Sequence, residues 1–305
     1  MGTMEQLRQA RVITAIKTPY NDDGEICLKT FDTLVERQIA AGVDGIVVGG
    51  TTGEGQLMNW EEHLMLIAHS VAAFAERILI IGNTGSNNTR EAIKATKYGF
   101  ATGMHASLQI NPYYGRTSEL GLEAHFKGVL DIGPAFIYNV PGRTGQDLTP
   151  EFIGSLAQHD NFIGMKECQG NERIAAYERQ GIACWSGNDD EAHDAVHQHG
   201  AHGVISVATN LIPELFCELL KSPQPELNAE LTPLMNWLFC EPNPIAINTA
   251  LAMTGAVKPV LRLPYVPLTQ KQQEQGVELM SKLDKKHLVG EQTAAIIAEN
   301  AFKLY

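Results

Sequence analysis

Positive charge is scarce in this sequence. Lys and Arg total 23 against 35 Asp and Glu, a net charge of -12 over 305 residues. That balance argues against nucleic acid or an anionic membrane as a partner, because both require a basic face. Nor does it attract an anionic small molecule, so recognition of one must rest on a few placed cations. Cysteine is also sparse: Cys27, Cys168, Cys184, Cys217 and Cys240 are odd in number, scattered, and form no Cys-x-x-Cys pair. A disulfide framework and a zinc site are therefore not expected, and a reducing compartment fits. No apolar run approaches the roughly 18 residues of a membrane span. The stretch Met1 to Arg11 is polar and has no apolar segment of the kind that directs secretion. It is also too short and too acidic in context to read as a transit peptide. Low-complexity segments are missing as well.

What the chain does have is apolar character, 44% of its residues, enough for a sizeable core. It is laid out in a regular alternation. Short apolar strands are predicted at Val12–Ile16, Gly45–Gly49, Ile78–Gly82, His105–Ile110, Ala135–Tyr138, Phe162–Lys166, Ala183–Gly187 and Gly203–Val207. Helical periodicity follows each: Leu28–Ala41, Asn59–Ala75, Thr89–Ala101, Ser118–Leu130, Pro150–Gln158, Asn171–Arg179, Asp190–Gln198 and Leu211–Leu220. Asn59 and Glu62 stand at capping-box spacing, and Pro150 suits a first helical turn. Strands that are apolar on both faces belong to a parallel sheet covered on both sides. Eight strand–helix units over about 220 residues predict a closed (β/α)8 barrel. The structural rival, an open doubly wound sheet, seldom has so many regular units. A break at Pro223–Pro225 sets the expected boundary between a barrel domain over 1–224 and a C-terminal helical domain over 225–305. The latter reads as all-helical, punctuated at Glu241-Pro242-Asn243-Pro244 and Val260–Pro267.

The chemistry concentrates at the C-terminal ends of the strands, where such barrels carry their sites. Phe162-Ile163-Gly164-Met165 leads to Lys166 with Glu167 next. Burial of a lysine favours its neutral amine, a nucleophile toward carbonyl carbon. The plain alternative is a strand-end lysine that snorkels to water. Gly49-Gly50-Thr51-Thr52-Gly53-Glu54-Gly55 follows the second strand. Its amides and hydroxyls suit a carboxylate, though a plain Gly-rich turn reads the same, and no Lys-Ser or Lys-Thr follows to make it a P-loop. Asn111-Pro112-Tyr113-Tyr114 and Tyr138-Asn139-Val140-Pro141-Gly142-Arg143 bring phenols for proton transfer and a guanidinium for a carboxylate. Their alternatives are packed aromatics and a surface salt bridge. Asp189 and Asp190 read as caps of the following helix, and Cys168 as packing. Ile205 lies on the eighth strand near the mouth. His193, His197 and His199 share helix spacing suited to a metal, but no acidic partners accompany them, and none is expected. Together these residues describe Schiff-base chemistry on a small 2-keto acid, whose methyl group becomes an enamine carbon that adds to an aldehyde.

Gly50-Thr51-Thr52-Gly53-Glu54, Tyr113-Tyr114, Tyr138 to Pro141 with Arg143-Thr144-Gly145, and Gly164 to Glu167 resemble the dihydrodipicolinate synthase family. The likeness runs from about Val12 to Gly290 and is greatest for the plant-type branch, in Ile13–Tyr20, Gly82–Ala92, Trp185–Asp190 and Pro233–Ala252. The resemblance implies a lyase that condenses pyruvate with L-aspartate 4-semialdehyde, the first committed step of lysine biosynthesis through diaminopimelate. It implies Lys166 as imine former, with Thr51, Tyr138 and Tyr114 as proton relay. Tyr114 would reach into a neighbouring subunit's site. Arg143 would hold the semialdehyde carboxylate, and Thr52, Ile205 and Gly187 would line the substrate pocket. An L-lysine feedback site is implied at Gln56, Trp60, His63, Asn87, Glu91 and Tyr113. No metal or organic cofactor is implied, and the assembly would be a homotetramer built as a dimer of dimers. Gly142 departs from the serine common before the arginine, and the tail after Gly290 departs from the plant-type branch. The alternative is another pyruvate-dependent Schiff-base aldolase of the N-acetylneuraminate lyase superfamily. Arg143 and the Tyr113-Tyr114 pair argue against it, because a polyol substrate has no carboxylate at that end. A bacterial-type cytoplasmic protein is expected, with the plastid stroma as the alternative.

Overall fold

The structure is a computed structural model and describes residues 2–305. A short helix α1 (Thr3–Gln9) precedes strand β1 (Val12–Ala15). The chain then alternates through α2 (Leu28–Ala40), β2 (Gly45–Val48), α3 (Trp60–Phe74), β3 (Leu79–Asn83), α4 (Thr89–Thr102), β4 (Ala106–Ile110), α5 (Glu119–Leu130) and β5 (Ala135–Asn139). A one-turn helix α6 (Pro141–Thr144) and α7 (Pro150–Leu156) lead to β6 (Phe162–Glu167), α8 (Asn171–Glu178), β7 (Cys184–Ser186), α9 (Ala192–Gln198), β8 (Gly203–Ser206) and α10 (Pro213–Lys221). Each strand pairs in parallel with the next, and β8 returns to β1, closing an eight-stranded barrel. The strands are short and buried on both faces because side chains fill the inside while helices cover the outside.

The inside is filled by Ile13, Val47, Ile81, Leu108, Phe136, Trp185 and Ile205. Trp185 is completely buried, lies edge-on to Phe136 at 5.0 Å, and donates its indole N–H to the Ala10 carbonyl at 2.7 Å. That bond ties α1 across the N-terminal end of the barrel, where Leu7 also inserts. The sequence predicts no element over residues 1–11, whereas the structure forms α1 there. A single buried leucine in seven helical residues gives no periodic signal. Gly164 is required opposite: a Cβ there would stand 2.4 Å from the Ala183 carbonyl oxygen and 2.7 Å from the Trp185 ring.

Asn59 caps α3 with the reciprocal Glu62 contact of a capping box, and Pro150 opens α7. Two helix starts fall later than the periodicity placed them, at Ala192 instead of Asp190 and at Pro213 instead of Leu211. Beyond α10 the expectation of an all-helical segment is corrected. Helices α11 (Pro225–Trp237), α12 (Ile245–Met253) and α13 (Gln270–Met280) form, but a two-residue strand β9 (Val260–Leu261) pairs in parallel with β10 (Lys303–Leu304). Most of the last 25 residues is irregular, because strands this short carry no periodicity and depend on tertiary contact. Side chains from α11 and α12 share one apolar core with those of α2, α3 and α10.

Replacing Trp185 by Ala removes the largest side chain of the barrel interior and its bond to α1. The expected loss is about 3–5 kcal/mol of unfolding free energy, measured by urea denaturation. A loss below about 1 kcal/mol contradicts this account of the interior.

Candidate active site

Parallel pairing sets Tyr138 beside Lys166 and Asn139 beside Glu167 on β5 and β6. Successive side chains alternate in and out, so Tyr138 and Lys166 turn into the barrel mouth while Asn139 and Glu167 turn out. Outside, the Glu167 carboxylate accepts from Asn139 Nδ2 at 3.0 and 3.1 Å, from the Tyr177 hydroxyl at 3.1 Å, and from the Cys168 and Gln169 N–H groups at 2.8 and 2.9 Å. Asn139 Nδ2 also reaches Asp147, which Arg173 holds with a bidentate pair. This saturated cluster holds the two strand ends in register.

Inside, Lys166 is 7% exposed, so the snorkelling alternative does not apply. Its Nζ lies 4.5 Å from the Tyr138 ring centre. Burial lowers the pKa of the amine, Arg143 acts in the same direction, and the Asp189 carboxylate opposes them. Burial likewise raises the Tyr138 phenol well above its ordinary range, and its oxygen lies near Thr51 and Cys168. An amine whose burial favours the neutral form, a protonated phenol and a hydroxyl in one pocket can carry out carbonyl addition with internal proton transfer.

These groups open on a cavity of about 620 Å³ lined also by Thr52, Arg143, Gly187, Gln56, Trp60, His63, Asn87, Glu91 and Tyr113. Arg143 is exposed and uses one N–H on the Asn243 carbonyl at 3.1 Å, leaving further donors for a ligand. One expected residue is not on the wall: Ile205 is fully buried in the barrel interior, and Val207 lines the cavity instead. Tyr114, expected to serve a neighbouring subunit, is 96% exposed on a left-handed backbone with φ 71° and does not line this chain's cavity. The reading of Asp189 and Asp190 as helix caps is also corrected: no side chain caps α9, and Asp189 turns inward onto the N–H groups of Val207 and Ala208. Cys168, read as packing, lines the cavity.

The Gly-Thr-Thr-Gly-Glu loop is held from below. Glu54, in the left-handed region at φ 59°, is fully buried and bonded to Lys17, Asn248 and, at 2.9 Å, the Tyr20 hydroxyl. The residues that sequence reasoning missed come mostly from the C-terminal segment. Asn243 donates to the Thr52 hydroxyl at 3.1 Å, and the Tyr265 hydroxyl accepts from Gln56 at 2.7 Å. The one available signal was Asn243 itself, a polar residue between two prolines. Also on the cavity wall, the Trp60 N–H reaches Glu91 at 3.2 Å, and the indole stacks on His63 at 5.4 Å.

Among the described residues no three His, Cys, Asp or Glu side chains gather as a metal site. His193 is engaged at both ring nitrogens, with Asp194 at 2.8 Å and the Gln224 N–H at 3.0 Å.

A family model described as the dihydrodipicolinate synthetase family matches residues 8–283. The chain is 54% identical over 301 residues to a 4-hydroxy-tetrahydrodipicolinate synthase of Nicotiana tabacum named as chloroplastic, covering 98% of this chain and 84% of that one. A crystal structure of the Acinetobacter baumannii dihydrodipicolinate synthase complexed with pyruvate matches with TM-score 0.85 at 36% identity, over 89% of this chain and 98% of that one. The enzyme from Cyanidioschyzon merolae with lysine bound matches with TM-score 0.84 at 32% identity, over 90% and 98%. The chain belongs to the dihydrodipicolinate synthetase family, on its plant branch, and is a lyase of the 4-hydroxy-tetrahydrodipicolinate synthase type.

Burial also governs His63, whose pKa falls from 6.5 to about 4 with Nε2 left without a partner. The unfolded chain binds that proton first, so stability held above pH 6.5 is lost as pH falls toward 4. The expected loss from this group is about 3 kcal/mol. Urea melts at pH 7 and pH 4.5 should show it in the native chain and not in His63→Asn. An equal acid loss in both would contradict it.

Proposed function

We propose that the cavity condenses pyruvate with L-aspartate 4-semialdehyde through an imine on Lys166. The observation that carries this reading is the buried, solvent-screened amine of Lys166 against Tyr138. The neutral amine adds to the keto carbon of pyruvate, whose carboxylate lies on the Thr51-Thr52 loop. The resulting carbinolamine loses water with protons moved by Tyr138 and Thr51. The protonated imine withdraws electrons, the methyl group gives up a proton, and the enamine carbon attacks the aldehyde. Arg143 holds the semialdehyde carboxylate as a planar, bidentate donor. The adduct's own amino group then displaces the lysine amine at the imine carbon and frees Lys166. Gly187 and Ile205 shape the pocket, Gly187 on its wall and Ile205 from the layer beneath.

Tyr114 completes the relay of a neighbouring subunit in a tetramer made of two dimers. Its outward aim and strained backbone support this, since a non-glycine residue at positive φ is retained where something depends on it. Gln56, Trp60, His63, Asn87, Glu91 and Tyr113 form a feedback site for L-lysine, with Glu91 facing the ammonium group and Trp60 as a wall. The lysine-bound relative supports it. The barrel of residues 1–224 supplies the nucleophile, and the segment 225–305 supplies Asn243 and Tyr265 to the rim. The cytoplasmic expectation stands in tension with the plant relatives named as chloroplastic, and the plastid stroma is the compartment that fits. The reaction is the entry to lysine biosynthesis through diaminopimelate.

Borohydride reduction in the presence of pyruvate should leave a pyruvate-sized adduct that maps to Lys166 and is missing from Lys166→Ala. No adduct on a folded native chain overturns the reading. Arg143→Ala should raise KM for the semialdehyde by about 10- to 100-fold with a smaller change for pyruvate. Equal effects on both substrates would place Arg143 elsewhere. Calorimetry with L-lysine should show binding, and a flat titration removes the feedback site.

A further inference from the structure

Asp189 has no part in the chemistry above, yet it is the least settled group near it. Its side chain is wholly buried. Oδ2 accepts from the N–H groups of Val207 at 3.0 Å and Ala208 at 2.7 Å. Oδ1 is buried without a hydrogen-bond partner among the described residues. An ionised oxygen out of water and without a donor is tolerated where a positive charge faces it. Asp189 follows β7 directly, four residues beyond Trp185, the β7 residue that pairs with Lys166 on β6, and its charge holds the amine's pKa up. The chain between them is pressed onto the lysine stem: a Cβ on Gly187 would stand 3.1 Å from Lys166 Cε and 2.3 Å from Cys168 Sγ. Val207, whose N–H Asp189 holds, lines the cavity.

We propose that Asp189 is a positioning residue for the reaction, its unpartnered carboxylate oxygen serving as the counter-charge of the protonated imine on Lys166. The inference rests on the Schiff-base reading. That chemistry makes opposed demands on one nitrogen. It must be neutral to attack, which burial favours. After water leaves, the C=N nitrogen must carry a proton, or it cannot draw electrons from the methyl group. Burial then works against the cation, and a nearby anion restores it. The groups facing Lys166 are the Cys168 thiol from β6, the Tyr138 phenol from β5, Arg143 from the loop beyond β5, and Asp189 from the loop beyond β7. Burial pushes the thiol up to about 11 and the phenol higher than its usual range, so both are neutral at physiological pH. Arg143 is positive and opposes the cation. Asp189 is the anion of the set. Its own surroundings are Lys166, the Ser206 hydroxyl and the two N–H groups, and burial raises it to about 6, which leaves it ionised above neutrality. No bond forms to Asp189, and it relays no proton between the reacting atoms.

Asp189→Asn keeps an acceptor for Val207 and Ala208 and removes the charge. Borohydride trapping and kcat are measured against pH in the native chain and the variant. With the anion gone, both the amine and the imine lose their protons more easily. Both limbs of the profile should move to lower pH by about one unit, with kcat at pH 8 down about tenfold. An unmoved profile overturns the inference while native trapping leaves the Schiff-base reading standing. Failure of native trapping overturns both. If the variant does not fold, infrared difference spectra of the native chain decide. Pyruvate added at pH 6 should abolish a protonated-carboxyl band as the new cation expels the Asp189 proton. An unchanged band overturns the inference.

Discussion

Everything at this site depends on the pairing of β5 with β6. The alternation of a strand gives each residue one side of the sheet, so a polar pair on the outside and a polar pair on the inside come as a set. Asn139 and Glu167 occupy the outer places, Tyr138 and Lys166 the inner ones. A one-residue slip would exchange them. It would leave a lysine among the outer helices and a carboxylate in the mouth, each without its partners. Burial raises the Glu167 carboxyl, and its hydrogen bonds pull it back. The strength of that cluster lies in how fully it is satisfied. A buried polar group with all its bonds made fixes a geometry, whereas a partly satisfied one costs more than an apolar contact.

A second polar cluster does the same for the opposite wall. Glu54 takes a backbone conformation that costs about 1 kcal/mol or more for a residue with a side chain. It is kept there by Lys17, Tyr20 and Asn248. The Tyr20 ring in turn has Lys17 at 4.8 Å and the Arg262 guanidinium at 4.6 Å from its centre. Arg262 pairs with Glu62, the capping-box residue of the helix that carries Trp60 and His63. The threonine loop, the first turn of α3 and the C-terminal segment thus share one set of charges. Removing one member would leave others buried without partners, which is costlier than never having placed them there.

The barrel was legible in the sequence because its signals are local. Gly45-Ile46-Val47-Val48 can only be a strand covered on both faces, and Asn59 with Glu62 announces a helix start whatever lies around it. The Lys166 stretch was legible for the same reason: an apolar run ending in a lysine puts the amine where water is scarce. What stayed hidden depends on contacts between distant residues. Leu7 gives no sign that it closes the barrel floor. Val260 and Leu261 become a strand because Lys303 and Leu304 come back to them. Tyr265 and Asn243 reach the cavity from the far end of the chain. Asp189 has the spacing of a helix cap, and only the position of Val207 and Ala208 turns it inward.

That last difference bears on how a chain this acidic handles anions. In the proposed reaction the keto acid is an anion that the overall charge repels, so its affinity must come from donors fixed in place. The proposed donors, Arg143 and the N–H groups and hydroxyls of the threonine loop, stand at the rim. An imine on Lys166 would call for a negative charge of its own deeper in, away from the carboxylates at the rim. Asp189 is turned onto backbone N–H groups at the end of β8, beside the lysine, while the positive and hydroxylic groups face the open cavity. Separating the two signs by depth would let one pocket bind anions at its mouth and hold a cation at its base. The depth at which a charge sits, more than the sum of charges, decides what the cavity can do.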